Sequence, residues 1–510
     1  MSRRKKVLII GGGISGLTSG IYAEQNGLHA VIVEKNASLG GFCAGWYRKG
    51  YYLDGCIHWL TGTRKGTILY DIWKNVGAFS NDEDIINLPS WGSFDYEGKT
   101  ITFYSDLIKA ESSWVKVAPE DKKEIKKFFD MVYAFGNIEL PLGDENFFSS
   151  PKKVLKLVLN ILRACPRYLW SLFQSTDKYA KRFKNPTLRW AISHAQPGMG
   201  NLYSLLYSYS TIGFNNGGIP KGGSLRLIEN MKNKFLSLGG TIYTNSEVTN
   251  ITIKNKQIEN VIINNNKILT SDYYIAACET NYVLQKLLKN NYDITKYSRL
   301  FSKDEQHHAP SGVLVFLKAN DIELNVPSTS FSVEPFVVGN SLISHLTIRY
   351  MNYDPTYQYS NTSVIQVLLD QYSNDYSYWN NLISNRSEYD AVKKHIGEIV
   401  KSKIIKRYPI LKDGLEVLDV STPYTLHRYT NALRGEYMSY LFKPFTLPLT
   451  HSGKLSALKN LFLSGQWLFT PGGLPIALVN GKNSALKIVN YENRKAVLRI
   501  RRKTLAKIKY

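Results

Sequence analysis

Three glycines, Gly11, Gly13 and Gly16, stand between an apolar run, Val7 to Ile10, and an apolar-periodic stretch that begins near Ile14. Glu34 closes a second apolar run at close to the roughly 20-residue spacing at which an acid meets a ribose hydroxyl. The chemistry this spacing suits is anion binding. A glycine turn lets backbone N–H groups approach a pyrophosphate, and a helix starting there adds its positive dipole end. Gly11 permits the tight turn, Gly13 the approach of the phosphate and Gly16 the close packing of helix on strand, with Ile14 and Ser15 supplying N–H groups. An acid at Glu34 disfavours a 2′-phosphate, so the pattern favours FAD or NAD over NADP, with Lys35 beside it.

These residues need a strand, a turn, a helix and a second strand in that order, and the chain supplies all four between Lys6 and Glu34. The basic lead, Ser2 to Lys6, imitates an export signal, but its apolar region is the phosphate loop itself and no small-residue cleavage site precedes Glu34. It is read as a solvated entry to the first strand.

The 510 residues exceed one ordinary domain, and 44% hydrophobic content with 21% charge describes a globular chain with ample core. The four cysteines, Cys43, Cys56, Cys165 and Cys278, show no CxxC spacing, which implies free thiols in a reducing compartment and no zinc site. A net charge of +23 implies an anionic partner surface. Nothing resembles a nucleic-acid-reading module, and no apolar run is long enough to span a bilayer, so the expected partner is an anionic membrane surface.

Two segments suit such a surface. Pro151 to Phe173 carries Lys152, Lys153, Lys156, Arg163 and Arg167 among apolar and aromatic residues without an acid. It reads equally as a lipid-docking helix or a buried helix of a substrate domain. The tail from Arg494 to Tyr510 alternates basic and aliphatic residues, and reads as a second lipid contact or a solvated terminus.

Further along, residues 75–215 read as helical with polar breaks, Trp46 to Leu53 as a strand, and Gly239 to Ile275 as a β-meander. Strands are expected again from Gly312 to Thr347, a helix from Ser387 to Arg407, and a strand, glycine-proline loop and helix from Asn460 to Val489. The phosphate-binding layer is therefore expected in three separated pieces with another domain inserted.

Three more segments carry a family resemblance. Gly40-Gly41 followed by Gly50 to Gly55 resembles the second FAD fingerprint of the flavoprotein group that includes amine oxidases and phytoene desaturases. Ile219 to Ser224, followed by a helix and by Gly239 to Val248, is similar to the region where that group places a valine backbone against the adenine. Asn460 to Ala485 resembles its C-terminal flavin motif. Within the group, Asp54-Gly55-Cys56-Ile57-His58 and the segment Ser421 to Gly435 resemble the branch of phytoene desaturases, carotenoid isomerases and retinol saturases. Phe42, where amine oxidases carry arginine, points the same way. The last motif departs from the family, with Gly465-Gln466 where it usually has Gly-Asp, and Gln466 carries no charge.

The resemblance implies an α/β chain: a discontinuous Rossmann-type FAD-binding domain with an inserted α+β substrate domain. The boundaries expected are 1–75, 215–290 and 455–492 for the FAD-binding pieces, 76–214 for a helical and 291–454 for a sheet-rich part of the substrate domain, and 493–510 for a basic tail. FAD would be held by Gly11, Gly13, Ile14, Ser15, Gly16, Glu34, Lys35, Gly40, Gly41, Asp54, Gly55, Val248, Gly465, Gln466, Gly473 and Leu474. The activity implied is desaturation, saturation or isomerisation of carbon–carbon double bonds in a long carotenoid, isoprenoid or fatty acyl chain. The alternatives are a redox-neutral isomerase or hydratase of lipids, or a non-catalytic FAD-binding protein.

No second dinucleotide motif follows a strand, which leaves the lipid, a quinone or oxygen as the partner for electrons. His58 is the polar residue expected nearest the flavin ring, as acid, base or hydrogen-bond donor, with a structurally satisfied histidine as the alternative. Arg428 is the second catalytic candidate, at the substrate mouth together with His427 and Arg434. His307-His308 has no partner at metal-ligand spacing and reads as surface. The expected location is cytoplasmic, peripheral on the inner face of the membrane.

Overall fold

The computed structural model describes residues 3–136, 152, 155, 156, 159, 170–196, 200–289, 310–320, 327–439 and 451–508, with side chains not described at 373, 374 and 496–508. Most of Pro151 to Phe173, the end of the basic tail, Cys165 and His307-His308 lie outside those described residues.

Five parallel strands form the N-terminal layer in the order Thr241–Tyr243, His29–Val33, Lys6–Ile10, Tyr273–Ala276 and Leu461–Leu463. Successive side chains of a strand point to opposite faces, and here both faces are covered, so the runs are apolar throughout. Val7 and Ile9 pack on one side with Leu17 and Ile21 of the helix Ile14–Gln25, Phe235 of the helix Gly223–Ser237 and Leu478 of the helix Leu474–Ile508. Leu8 and Ile10 pack on the other side with Ile251, Ile258 and Val261 of the antiparallel meander Val248–Leu269. The five strands come from three separated stretches of chain, and their pairing places the two glycine loops, after Ile10 and after Leu463, beside each other.

The second sheet runs Glu416–Ser421, Ser311–Asn320, Thr362–Gln371, Ser341–Tyr350, Ser328–Val338, Ser90–Tyr96 and Lys99–Tyr104. The long helix Arg386–Arg407 covers it through Ile396, Val400 and Ile404, against Val313, Val315 and Val367. A helical layer built from Leu107–Val117, Lys122–Gly136, Pro186–His194 and Leu202–Gly213 closes around Trp114, Phe128, Phe129 and Tyr209.

Two expectations need correction. Residues 75–215 are not helical throughout, because Ser90–Tyr96 and Lys99–Tyr104 form a hairpin that joins the second sheet through Ser93 beside Thr329. The signal was present: Glu97 and Gly98 both take positive φ, as a two-residue hairpin turn requires, and Ile101 and Phe103 alternate inward. Likewise, the single strand expected over Trp46 to Leu53 is a hairpin, Gly45–Arg48 with Tyr51–Asp54, turning at Lys49-Gly50.

Candidate functional site

The glycine loop after Ile10 is assembled by close approach. Gly11 donates its N–H to Val33 O at 2.8 Å as the first strand ends, and Gly13 caps the helix with no side-chain hydrogen bond, leaving the N-terminus of the helix open to the cavity. The Glu34 carboxylate is buried and accepts from Gly12 N at 2.8 Å and from Asn36 N at 2.9 Å, which holds the strand end against the glycine turn. Gly40 N donates to Gly12 O at 3.0 Å and brings the Gly40-Gly41 turn onto the same loop. From the C-terminal motif, the Ser464 and Ser15 hydroxyls share a hydrogen bond of 2.5 Å.

A single cavity of about 720 Å³ runs along this seam. Gly11, Gly13, Ile14, Ser15, Glu34, Lys35, Gly40, Gly41, Gly55, Val248, Gly465, Gln466, Gly473 and Leu474 line it, and so does His58. An extended dinucleotide fits what these residues offer: an uncapped helix end at Gly13, a second helix starting at Leu474, and a wall kept open by glycine. A Cβ on Gly13 would come no nearer than 3.5 Å to the rest of the chain, so this glycine leaves room on the cavity side that its own fold does not use.

Other candidates do a different job. Gly16 does not line the cavity; its Cα lies against the Gly11 carbonyl and serves packing. Asp54 does not line it either. Its buried carboxylate accepts from Cys56 N at 2.9 Å, from Ile57 N at 3.2 Å, from Ser224 N at 2.7 Å and from the Ser224 hydroxyl at 2.7 Å. Those bonds consume it in fastening the Gly55 to His58 turn to the helix Gly223–Ser237. Arg428 is exposed and stacks on Tyr429, with its guanidinium 4.6 Å from the ring centre, and is not among the residues that line the cavity. Gln466 meets the cavity, but its amide bridges the chain: Oε1 accepts from Gly473 N at 2.9 Å and Nε2 donates to Tyr437 O at 3.2 Å. Lys35 lines the cavity while its ammonium donates to Arg428 O and Asn431 Oδ1.

Beyond the glycine wall the cavity continues into an aromatic arm that short motifs did not reveal. Trp59 and Trp91 meet edge to face at 5.6 Å, and Phe94, Tyr207 and Leu314 extend the apolar lining. Arg349 reaches the cavity from the strand Ser341–Tyr350, donating to Gln366 Oε1 at 2.7 Å and to Ile57 O and Tyr353 Oη at 3.3 Å, with no carboxylate among its hydrogen-bond partners in the described residues. Burial and this guanidinium hold the His58 imidazole well below the usual histidine range, so it is neutral. At the other end, His194 lies 4.7 Å edge to face from His345, and burial pushes His345 down to about 4. Trp59, Trp91, His194, His345 and Arg349 come from four distant stretches of chain; period-2 alternation over 341–350 was the sole signal pointing to any of them. Among the described residues, no group of three or more His, Cys, Asp or Glu is placed to hold a metal ion.

Residues 9–76 match the family model described as an NAD(P)-binding Rossmann-like domain. The chain carries that Rossmann-like domain. It continues into a fold shared with solved oxidoreductases: an oxidoreductase from Methanosarcina mazei superposes with a TM-score of 0.57 over 95% of this chain and 100% of that one, at 16% identity. Cyclohexylamine oxidase from Brevibacterium oxydans superposes at 0.55 over 96% and 100%, at 13% identity. In sequence the chain is similar to the lycopene-forming phytoene desaturase of Pseudescherichia vulneris, 25% identical over 56% of this chain and 58% of that protein. The chain thus spans a little over half the length of the curated relatives it matches. The architecture expected, a Rossmann-type layer with a second sheet-rich part, is the one the fold has.

Proposed function

We propose that this protein is an FAD-dependent oxidoreductase that desaturates, saturates or isomerises carbon–carbon double bonds of a long apolar isoprenoid or fatty acyl substrate. One observation carries the reading: a single cavity joins an uncapped phosphate-binding helix end to an arm walled by tryptophan, phenylalanine and leucine. The similarity to a phytoene desaturase supports it.

FAD, when bound, supplies hydride or electron transfer. The chain's own residues bind, orient and exclude water. The helix ends at Gly13 and Leu474 would hold the anionic part of the cofactor, and the aromatic arm would keep solvent from the reacting bond. His58 presents a neutral imidazole that can donate a hydrogen bond from one ring nitrogen and accept one at the other, and Arg349 offers a positive charge to the same cavity.

The net charge of +23 supports work from an anionic membrane surface. A quinone or oxygen is the proposed electron acceptor. Among the described residues no helix is long and apolar enough to cross a membrane. The test is anaerobic incubation of purified yellow protein with membrane lipid extract. Bleaching of the flavin matched by new double bonds is expected; an unchanged spectrum with unchanged lipids overturns the reading.

A further inference from the structure

Cys43 and Cys56 stand at matching positions on either side of the hairpin Gly45–Arg48 and Tyr51–Asp54. Gly45 pairs with Asp54, and Gly55 N donates to Ala44 O at 3.0 Å, which carries the antiparallel register one step beyond the strands. The next residue on each side is a cysteine, Cys43 and Cys56, and there both strands leave the ladder, Ala44 N turning to Phe42 O and Cys56 N to the Asp54 carboxylate.

Cys56 and burial together push the Cys43 thiol well up from the usual thiol range, and the Cys43 sulfur lies 4.0 Å from Ser224 O. Both are free thiols. Both line the cavity between Gly41 and Gly55, beside His58, with Cys43 buried at 1% exposure and Cys56 half-buried and accessible from the cavity. The pair is held from behind: Asp54 accepts from Cys56 N, and Cys43 N donates to Gly40 O at 3.0 Å. Neither thiol is used by the reaction proposed above.

We propose that Cys43 and Cys56 form a redox pair that exchanges electrons with the flavin, so that the protein can be reduced by external thiols. This inference rests on the FAD reading. In the oxidising direction the two S–H bonds break, one S–S bond forms, two protons leave, and the electron pair passes to oxidised flavin, which takes up a proton as it is reduced. In the reducing direction an external dithiol attacks the disulfide through the accessible Cys56 sulfur, leaves as its own disulfide, and regenerates both thiols. The net result is external dithiol oxidised and flavin reduced. Such a route would feed electrons to a chain with no second dinucleotide motif.

The test is an anaerobic dithionite titration of the yellow holoprotein after treatment with oxidised glutathione, following the flavin absorbance. Wild type is expected to take up two electron pairs per flavin, and Cys43→Ser and Cys56→Ser one, with Cys278→Ser still taking two. Alkylation before proteolysis, read by mass spectrometry on the wild-type protein, is expected to show the Cys43 and Cys56 peptides linked in the oxidised form. Uptake of one pair by yellow wild type, or unlinked peptides, overturns the redox pair and leaves the FAD reading standing. Protein that stays colourless overturns both.

Discussion

Gly16 packs so tightly on Gly11 that a Cβ built on Gly16 would lie 1.9 Å from the Gly11 carbonyl oxygen, whereas one on Gly13 would meet nothing of the chain closer than 3.5 Å. Two glycines of one motif therefore answer to different surroundings, one to the packed fold and one to the open cavity. Gly16→Ala is expected to cost about 3 kcal/mol or more through backbone displacement. Gly13→Ala should keep the wild-type melting temperature of the apoprotein and lose flavin. Thermal unfolding and the flavin-to-protein absorbance ratio check both; equal stability loss in the two variants would contradict the distinction.

Asp54 serves the turn that carries Cys56, Ile57 and His58. Asp54→Ala leaves the buried donors Ser224 N and Ser224 Oγ without their acceptor, while Ile57 N keeps the Ser224 hydroxyl at 3.3 Å, and each unsatisfied group costs about 1–3 kcal/mol. Loss of several kcal/mol in denaturant unfolding is expected, in the absence of cofactor as well as with it. A variant that unfolds like wild type as apoprotein and differs only in flavin affinity would return Asp54 to the cofactor.

His58 is kept neutral first by burial and then by Arg349. Removing the charge in Arg349→Met should raise the His58 pKa toward, though not to, its ordinary value, because burial remains. The imidazole resonances of His58 in a pH titration report it. An unshifted titration would show that the two side chains do not share the cavity as described.

Glu436 is 1% exposed, and its carboxylate oxygens have no hydrogen-bond partner among the described residues; Arg434 stands at 3.8 Å. Burial pushes its pKa up to about 8, with Arg434 opposing. A raised carboxyl pKa means the native state binds more protons than the unfolded one between the two values. Stability from this group is therefore greatest at low pH and falls as pH rises from the ordinary carboxyl range through about 8. Glu436→Gln should lack that slope, so that the melting temperature of the variant gains on wild type across this window. Parallel curves would mean that Glu436 is ionised and paired.

Arg428 stacks on Tyr429 at the surface, and Arg428→Ala is expected to change turnover with a lipid substrate by less than about twofold, as for surface substitutions generally. A loss of orders of magnitude, measured under identical flavin loading, would place it in the reaction.

The dinucleotide half of the site was legible in the residues because its requirements are local. Strand, glycine turn, helix and acid succeed one another between Lys6 and Glu34, and close backbone approach tolerates no side chain, so residue type at fixed spacing encodes the geometry. The recurrence of glycine pairs at 40–41 and 472–473 was readable for the same reason. The wall opposite the glycine loops was not. Arg349 reaches the cavity because its strand pairs with Thr362–Gln371, and His194 meets His345 only when the helix Pro186–His194 closes on the second sheet. Asp54 and Gly16 show the limit within the motifs themselves: spacing identified them, but only the packing of the helix Gly223–Ser237 and of the Gly11 carbonyl decided that one fastens a turn and the other seats a helix. Side chains that converge from distant stretches carry no mark of their neighbours in the sequence, since their meeting depends on sheet register and layer packing rather than on any local rule.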